Sequence, residues 1–254
     1  MSTPQGHHVL VDAGPWSPGS SAAEFSILPY LERWGIRHLD AVVVTHPDED
    51  HLGGVPTLLR NVSVGRIVRS GRTADTELYE RVRRLIDQKG VPQETVRRGD
   101  TLVLDSTVRI QVLSPSRRAM QRGIERRNNA SVVLRVTYGT VDLLLPGDVE
   151  AAAERRLVRA YGRRLQSRVV KVPHHGSSTS STGRFVEAVS EEKKGRSYAV
   201  VSVGRKNRYG MPHRAVLRRW RRQGMTILST ARRGAVWMRT DGRRIWRVRW
   251  RRDF

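Results

Sequence analysis

Four side chains able to bind a metal fall within six residues of this chain: His46, Asp48, Asp50 and His51, in the segment Thr45-His-Pro-Asp-Glu-Asp-His-Leu-Gly-Gly54. Imidazole nitrogens together with carboxylate oxygens form a donor set suited to the divalent ions used in hydrolysis. The theme recurs twice: Asp148 closes Leu143-Leu-Leu-Pro-Gly-Asp148, and His174 and His175 stand side by side in Val170-Lys-Val-Pro-His-His-Gly-Ser177. If the three groups converge, Asp148 can bridge two ions while the others fill either side, an arrangement that activates water and steadies a leaving oxygen. Taken singly, each group has a plainer reading. Asp148 could cap a helix starting near Glu150, and the histidine pair could be ordinary loop residues.

An apolar run precedes each group, so each is expected where a buried strand ends. The strands are 41–45 before the first group, 141–145 before Asp148 and 168–172 before the histidines. Residues 8–11 form another strand, running into Asp12-Ala-Gly14. Helical periodicity marks 22–34, limited by Pro29, then a short helix near 56–60 and a helix at 76–89 closed by Gly90. Further strands are expected at 66–70, in two runs within 101–114, and at 131–136. The second half adds helices at 150–161, 184–189 and 214–223, a strand at 198–203, and terminal strands at 226–229, 235–239 and 244–249. Residues 117–127 and 191–194 read as charged surface loops, and Lys171 as a strand residue that packs or pairs. Mixed strands with interspersed helices imply sheets covered by helices on their outer faces. A length of 254 residues suits one such α/β domain, 1–254.

The absence of cysteine removes disulfides, thiolate metal sites and a cysteine nucleophile, which leaves His, Asp, Glu or Asn to hold any ion. No apolar stretch is long enough to span a bilayer, and the first twenty residues lack a secretory-signal pattern, so the chain reads as soluble. Its net charge is +23, from 47 Lys and Arg against 24 Asp and Glu. Such a surface attracts polyanions through counterion release, which makes nucleic acid, and DNA first, the expected partner. Trp220, Trp237, Trp246 and Trp250 lie on amphipathic segments and are read as core more readily than as base-stacking platforms.

Together these segments resemble the metallo-β-lactamase fold superfamily, and within it the hydrolase domain of ComEC-type DNA-uptake channel proteins. The likeness rests on Leu10-Val-Asp-Ala-Gly14, Leu28-Pro-Tyr-Leu31, the 45–54 segment, Asn128-Asn-Ala-Ser131, Pro146-Gly-Asp148, Lys171-Val-Pro-His-His-Gly-Ser-Ser178 and residues 207–213. It implies an α/β, four-layer αβ/βα sandwich with its metal site at one edge of two facing sheets. It also implies two divalent ions, Zn²⁺ or Mn²⁺: His46 and Asp48 on the first, Asp50 and His51 on the second, Asp148 between them, and His175 or His174 completing the second.

Asp48 stands where the wider superfamily has His, as in the ComEC-type domains. The His which the superfamily places before the bridging Asp is missing, and Asn128 or Asn129 occupies its region as a weak ligand. Oxygen donors in its place shift the expected ion toward Mn²⁺. Asp12 is expected to orient ligands from behind. His174, His213 and Asp50 are expected to act in catalysis, with His213 alternatively capping the helix after it, and Ser177 and Ser178 to contact phosphate. Chains of this type usually begin with additional strands carrying Asp-Val-Gly-Gln-Gly-Asp, so a shortened start is expected here.

The resulting expectation is a metal-dependent phosphodiesterase, foremost a nuclease acting on DNA. The resemblance adds a membrane channel as partner and the outer face of the bacterial inner membrane as location. The alternatives are a phosphodiesterase for a small phosphodiester, and a non-catalytic nucleic-acid-binding module with a decayed metal site. Steep salt dependence of cleavage separates the polymer from the small substrate, and DNA retention without turnover marks the binding module.

Overall fold

The structure is a computed structural model that describes residues 1–121, 127–190 and 197–248. One sheet pairs β1 (Val9–Val11), β2 (Ala41–Val44), β3 (Ile67–Arg69) and β4 (Gln93–Thr95) in that order, all parallel. The other runs in strict chain order through β5 (Thr101–Leu102), β6 (Val108–Ser114), β7 (Val133–Tyr138), β8 (Val141–Leu145), β9 (Val169–Lys171), β10 (Tyr198–Val201) and β11 (Thr226–Ser229). It is antiparallel as far as β8 and parallel from β8 to β11.

Side-chain alternation assembles the layers. Along β2, Ala41 and Val43 face the second sheet, where they meet Ile110, Val112, Leu134 and Val136, while Val42 and Val44 face helices. Those helices are α1 (Leu28–Arg33), α2 (Glu49–Leu52), α3 (Val55–Asn61) and α4 (Glu77–Gln88). On the far side, α5 (Ala151–Tyr161), α6 (Gly183–Val189) and α7 (Arg214–Arg222) cover Val133, Leu144, Val170 and Ala199 with Leu157, Phe185 and Trp220. The result is helix, sheet, sheet, helix. A hairpin of β12 (Trp237–Thr240) and β13 (Ile245–Val248) seats Met238 and Ile245 on Val169, Tyr198 and Leu228, continuing the inner layer where the first sheet stops.

Helix α4 illustrates the local cause. Thr76 Oγ1 accepts the Tyr79 N–H at 3.2 Å as an N-cap, and Leu78, Val82 and Ile86, four apart, form the buried stripe. Burial of such side chains stabilises by roughly 1.5–3 kcal/mol apiece. The expected helix at 22–34 instead divides into a wide helical turn, Ala23–Ile27, and α1. Pro29 falls in the first turn of α1, where its missing N–H leaves no hydrogen bond unmade. Residues Arg117–Gln121 form a short helix. The rest of the expected charged loops (122–126 and 191–194), with Arg249, Trp250, Arg251 and Arg252, lie outside the described residues. Trp220 is fully buried and Trp237 half-buried, whereas Trp246 is exposed.

Strand direction decides where the chemistry collects. Because β8, β9 and β10 are parallel, Asp148, His174 with His175, and Ser202 all leave the sheet at one edge. The antiparallel β7 begins at that edge, which brings residues 128–131 there. In the first sheet, parallel β1 and β2 deliver Asp12 and the 45–51 segment together, and the Val132 N–H donates to the Thr45 carbonyl at 2.8 Å, fastening one sheet to the other.

Candidate metal centre

Asp50, His51, Asp148 and His175 each offer one donor atom to a common point, all four atoms lying within 4.8 Å of one another. His51 Nε2 is 3.3 Å from Asp148 Oδ2 and 3.6 Å from Asp50 Oδ2, and His175 Nε2 is 3.3 Å and 3.2 Å from the same two oxygens. Both Nε2 atoms are buried without a hydrogen-bond partner. Buried polar atoms are rarely left so, and four mixed N/O donors facing one another suit a divalent cation.

The other side of each imidazole is held. His51 Nδ1 lies 2.7 Å from Asp12 Oδ2, and Asp12 is itself fixed by the Thr45 N–H at 2.8 Å and the Thr45 hydroxyl at 3.0 Å. His175 Nδ1 donates to the Ser202 carbonyl at 2.7 Å. Since a carbonyl only accepts, the proton is on Nδ1 and Nε2 is the atom offered to the centre. Among the described residues, three of the four non-glycine residues with left-handed backbones are here: Asp12 (φ 61°), His174 (φ 48°) and His175 (φ 52°). Such conformations persist where surrounding contacts enforce them, commonly at functional sites.

Charge is balanced within the cluster. Burial opposes a charge on His51, yet the Asp12 carboxylate and then Asp148 push it up to about 10. Burial likewise opposes protonation of His175, but Asp148 and Asp50 raise it to about 9. Against the cost of burial, His175 and His51 hold Asp50 down at about 2, and Lys171 with the two histidines holds Asp148 well below the ordinary carboxylate range. His46 behaves oppositely: burial, then the neighbouring His51 charge, lowers it to about 4, leaving a neutral imidazole.

His46 and Asp48 stand beside this group, not within it. His46 Nε2 is 3.8 Å from Asp48 Oδ2, its Nδ1 meets the Thr45 hydroxyl at 3.0 Å, and Asp48 Oδ1 is buried without a partner. Burial raises the Asp48 pKa, opposed by the Arg127 charge and assisted by Asp50 and Asp148. Asn129 Oδ1 accepts the N–H groups of Glu150 and Ala153 at 3.1 Å each, at the start of α5. The Nδ2 groups of Asn128 and Asn129 reach the Glu150 carboxylate at 3.5 and 3.4 Å. His174 turns to the same carboxylate, with Nδ1 3.6 Å from Glu150 Oε1 and 3.2 Å from Thr179 Oγ1. Ser177 is buried and bonded to Thr179 at 3.1 Å, while Ser178 is exposed. The His213 N–H donates to the Gly176 carbonyl at 3.0 Å, which docks its loop on the histidine turn, and its side chain makes no capping bond to α7.

Sequence reading missed Thr45, Glu150 and Thr179 as supports of the site. Glu150, two residues beyond Asp148, had positional signal. The Ser202 carbonyl had none, because any residue can supply one.

A four-layer sandwich carrying a His/Asp centre at its strand ends defines a class of metal-dependent hydrolases, and this chain belongs to the metallo-β-lactamase superfamily, whose family model matches residues 3–194. Its relatives include ComE operon protein 3 of Bacillus subtilis (31% identical over 92% of this chain and 30% of that protein) and Competence protein ComA of Neisseria gonorrhoeae (36%, 90% and 29%). The chain thus spans under a third of the length of these relatives. Among solved structures, the metallo hydrolase Igni18 from Ignicoccus hospitalis aligns with a TM-score of 0.46 at 16% identity, over 75% of this chain and 76% of that one. Among the described residues, no helix is long and apolar enough to cross a membrane.

Proposed function

We propose that this chain is a metal-dependent phosphodiesterase that cleaves DNA. The observation that carries this reading is the convergence of two orphaned imidazole nitrogens on the Asp50 and Asp148 carboxylates, in a chain of net charge +23. Asp50, His51, Asp148 and His175 would hold a Zn²⁺ or Mn²⁺ ion. When bound, such an ion polarises water for attack on phosphorus and offsets charge on the phosphate. Asp12 and the Ser202 carbonyl keep the two imidazoles aimed. His174, steadied by Glu150 and Thr179, is placed to give a proton to the leaving oxygen, and His213 to assist from the neighbouring loop. Ser178 and Arg127, both exposed, would contact phosphate oxygens.

The arginine-rich surface supports a polymeric substrate, since each phosphate neutralised releases counterions. The relatives' names, Competence protein ComA and ComE operon protein 3, support a DNA-uptake context and so DNA as that polymer. The test incubates the chain with labelled single- and double-stranded DNA in Mn²⁺, Zn²⁺ or chelator, alongside Asp50→Ala and Asp148→Ala. Metal-dependent cleavage lost in both variants is expected. Salt-sensitive DNA retention with no cleavage in any metal would replace this reading with a binding module.

A further inference from the structure

Beside His46, the first sheet and α4 enclose a cleft of about 450 Å³, counting its open mouth, with the buried Val44, Ile67 and Ile86 at its back. Two guanidinium groups line it without a carboxylate. Arg69 closes β3 on the helix-covered face it shares with Ile67, in register with Val44, which precedes His46 by two positions. Its Nε is buried without a hydrogen-bond partner, and one terminal N–H reaches only the Tyr79 hydroxyl, at 3.4 Å. Arg72 is half-buried in the same cleft, and among the described residues its side chain meets no partner. The neighbouring arginines differ: Arg66 pairs with Glu94 at 3.3 Å, Arg83 with Glu80 at 3.0 Å, and Arg97 donates to the Ser70 carbonyl at 3.0 Å. Charges drawn out of water are ordinarily paired, so two unanswered guanidinium groups in one cleft call for an anion.

We infer that this cleft is a phosphate subsite, in which Arg69 and Arg72 take the phosphodiester that flanks the cleaved bond of a bound strand. This rests on the reading of the centre as a phosphodiesterase. Guanidinium suits the ligand, because its planar fork of N–H donors matches two phosphate oxygens at once. Position suits it too: His46 is among the cleft's walls, and its ring centroid is 4.0 Å from that of His51, a donor of the centre. A strand laid across His46 therefore presents one phosphate to the centre and a neighbouring one to the cleft. The apolar back offers a base no hydrogen-bonding pattern, so the subsite reads the backbone and not the sequence.

The experiment measures cleavage of the central bond of thymidylyl-thymidine in Mn²⁺, with no further phosphate, with a methyl-esterified 5′ phosphate, or with a methyl-esterified 3′ phosphate; single-stranded DNA is the reference substrate. In the wild type, one of the flanking phosphates should raise kcat/KM about tenfold or more, mainly through KM, the scale of one charge-assisted contact. That gain should largely vanish in Arg69→Gln combined with Arg72→Gln, whereas Arg66→Gln, outside the cleft, should keep it. Circular dichroism verifies folding. No gain from either phosphate in the wild type, or a gain that survives in the folded double variant, would overturn the inference while leaving the phosphodiesterase reading intact. Cleavage of DNA but of no dinucleotide would overturn it as well, since one flanking phosphate would not then complete the substrate. No cleavage of DNA by the wild type in Mn²⁺ or Zn²⁺ would overturn the phosphodiesterase reading itself, and the inference with it. The wild-type comparison needs no variant, so a misfolded substitution does not remove the test.

Discussion

His51 is held between two carboxylates, with Asp12 Oδ2 2.7 Å from Nδ1 on one side and Asp148 Oδ2 3.3 Å from Nε2 on the other. The first contact is a hydrogen bond anchored by Thr45, whereas the second faces the space for an ion. The imidazole therefore links the position of β1 to the centre, and on the proposed reading Asp12 would orient His51 without itself holding the ion.

Asp12→Asn should keep the fold and weaken the centre. The amide retains an oxygen for one donor but loses the charge that favours the His51 Nδ1 proton. Affinity for Mn²⁺ should fall roughly 10–100-fold, the range seen when such supporting partners are lost. Titration calorimetry at fixed pH decides, and an unchanged affinity would remove Asp12 from the account.

The adjacent histidines should separate in function. His175→Ala removes a donor from the four-residue group and should abolish both metal retention and turnover. His174→Ala leaves that group whole, so the protein should still bind metal while turnover drops by about 10²–10⁴-fold if a proton donor is lost. Equal loss of metal in both variants would refute the division of labour drawn from the Glu150 and Ser202 contacts.

Stability should depend on pH in opposite ways with and without metal. His51 and His175 have folded-state pKa values of about 10 and about 9, above the ordinary 6.5 of an unfolded histidine. Their protonation thus stabilises the metal-free protein fully below about pH 6.5, and this contribution is lost as pH rises through 9 to 10. An ion must displace the same protons, so metal binding should tighten with rising pH. Thermal melts between pH 7 and 10 should show the chelated protein weakening while the Mn²⁺ form holds or gains. Parallel slopes would mean these imidazoles do not exchange protons for metal.

Gly176→Ala should loosen the mouth of the site. Gly176 has φ 85°, and a methyl group there would come 2.5 Å from Pro212 Cβ, on the loop that ends in His213. The backbone strain alone costs on the order of 1–3 kcal/mol, and the clash pushes the two loops apart. Urea unfolding measures the first effect. Retained metal binding with reduced turnover would locate the second at the loop contact.

DNA cleavage should also be steeply salt-dependent. For about six phosphate contacts, affinity drops on the order of 10³-fold between roughly 50 and 200 mM salt. A rate indifferent to salt at subsaturating DNA would favour a small phosphodiester.

That the ligand types sit at strand ends was legible in the sequence, because each group follows a largely apolar run: 41–44 unbroken, 141–145 interrupted at Asp142 and 168–172 at Lys171. The sequence also carried the helix-covered sheets, through strands interspersed with helices, but not which face of 41–44 meets which layer, since all four residues are apolar and buried. The long helices were legible from periodicity and capping, but the broken helix at 22–34 was not, since a wide turn and a regular one share nearly the same apolar spacing. Which of these neighbours meet was settled by the packing of the strands. Consecutive His174 and His175 diverge to Glu150 and to the Asp50–Asp148 pair through a left-handed turn that periodicity does not encode. Lys171, readable as a strand residue that packs or pairs, turned out to pair with Asp148, 23 positions away. The physical reason is strand direction: parallel β8 and β9 bring distant residues to one edge, and pairing direction is a property of the assembled sheet, not of either segment alone.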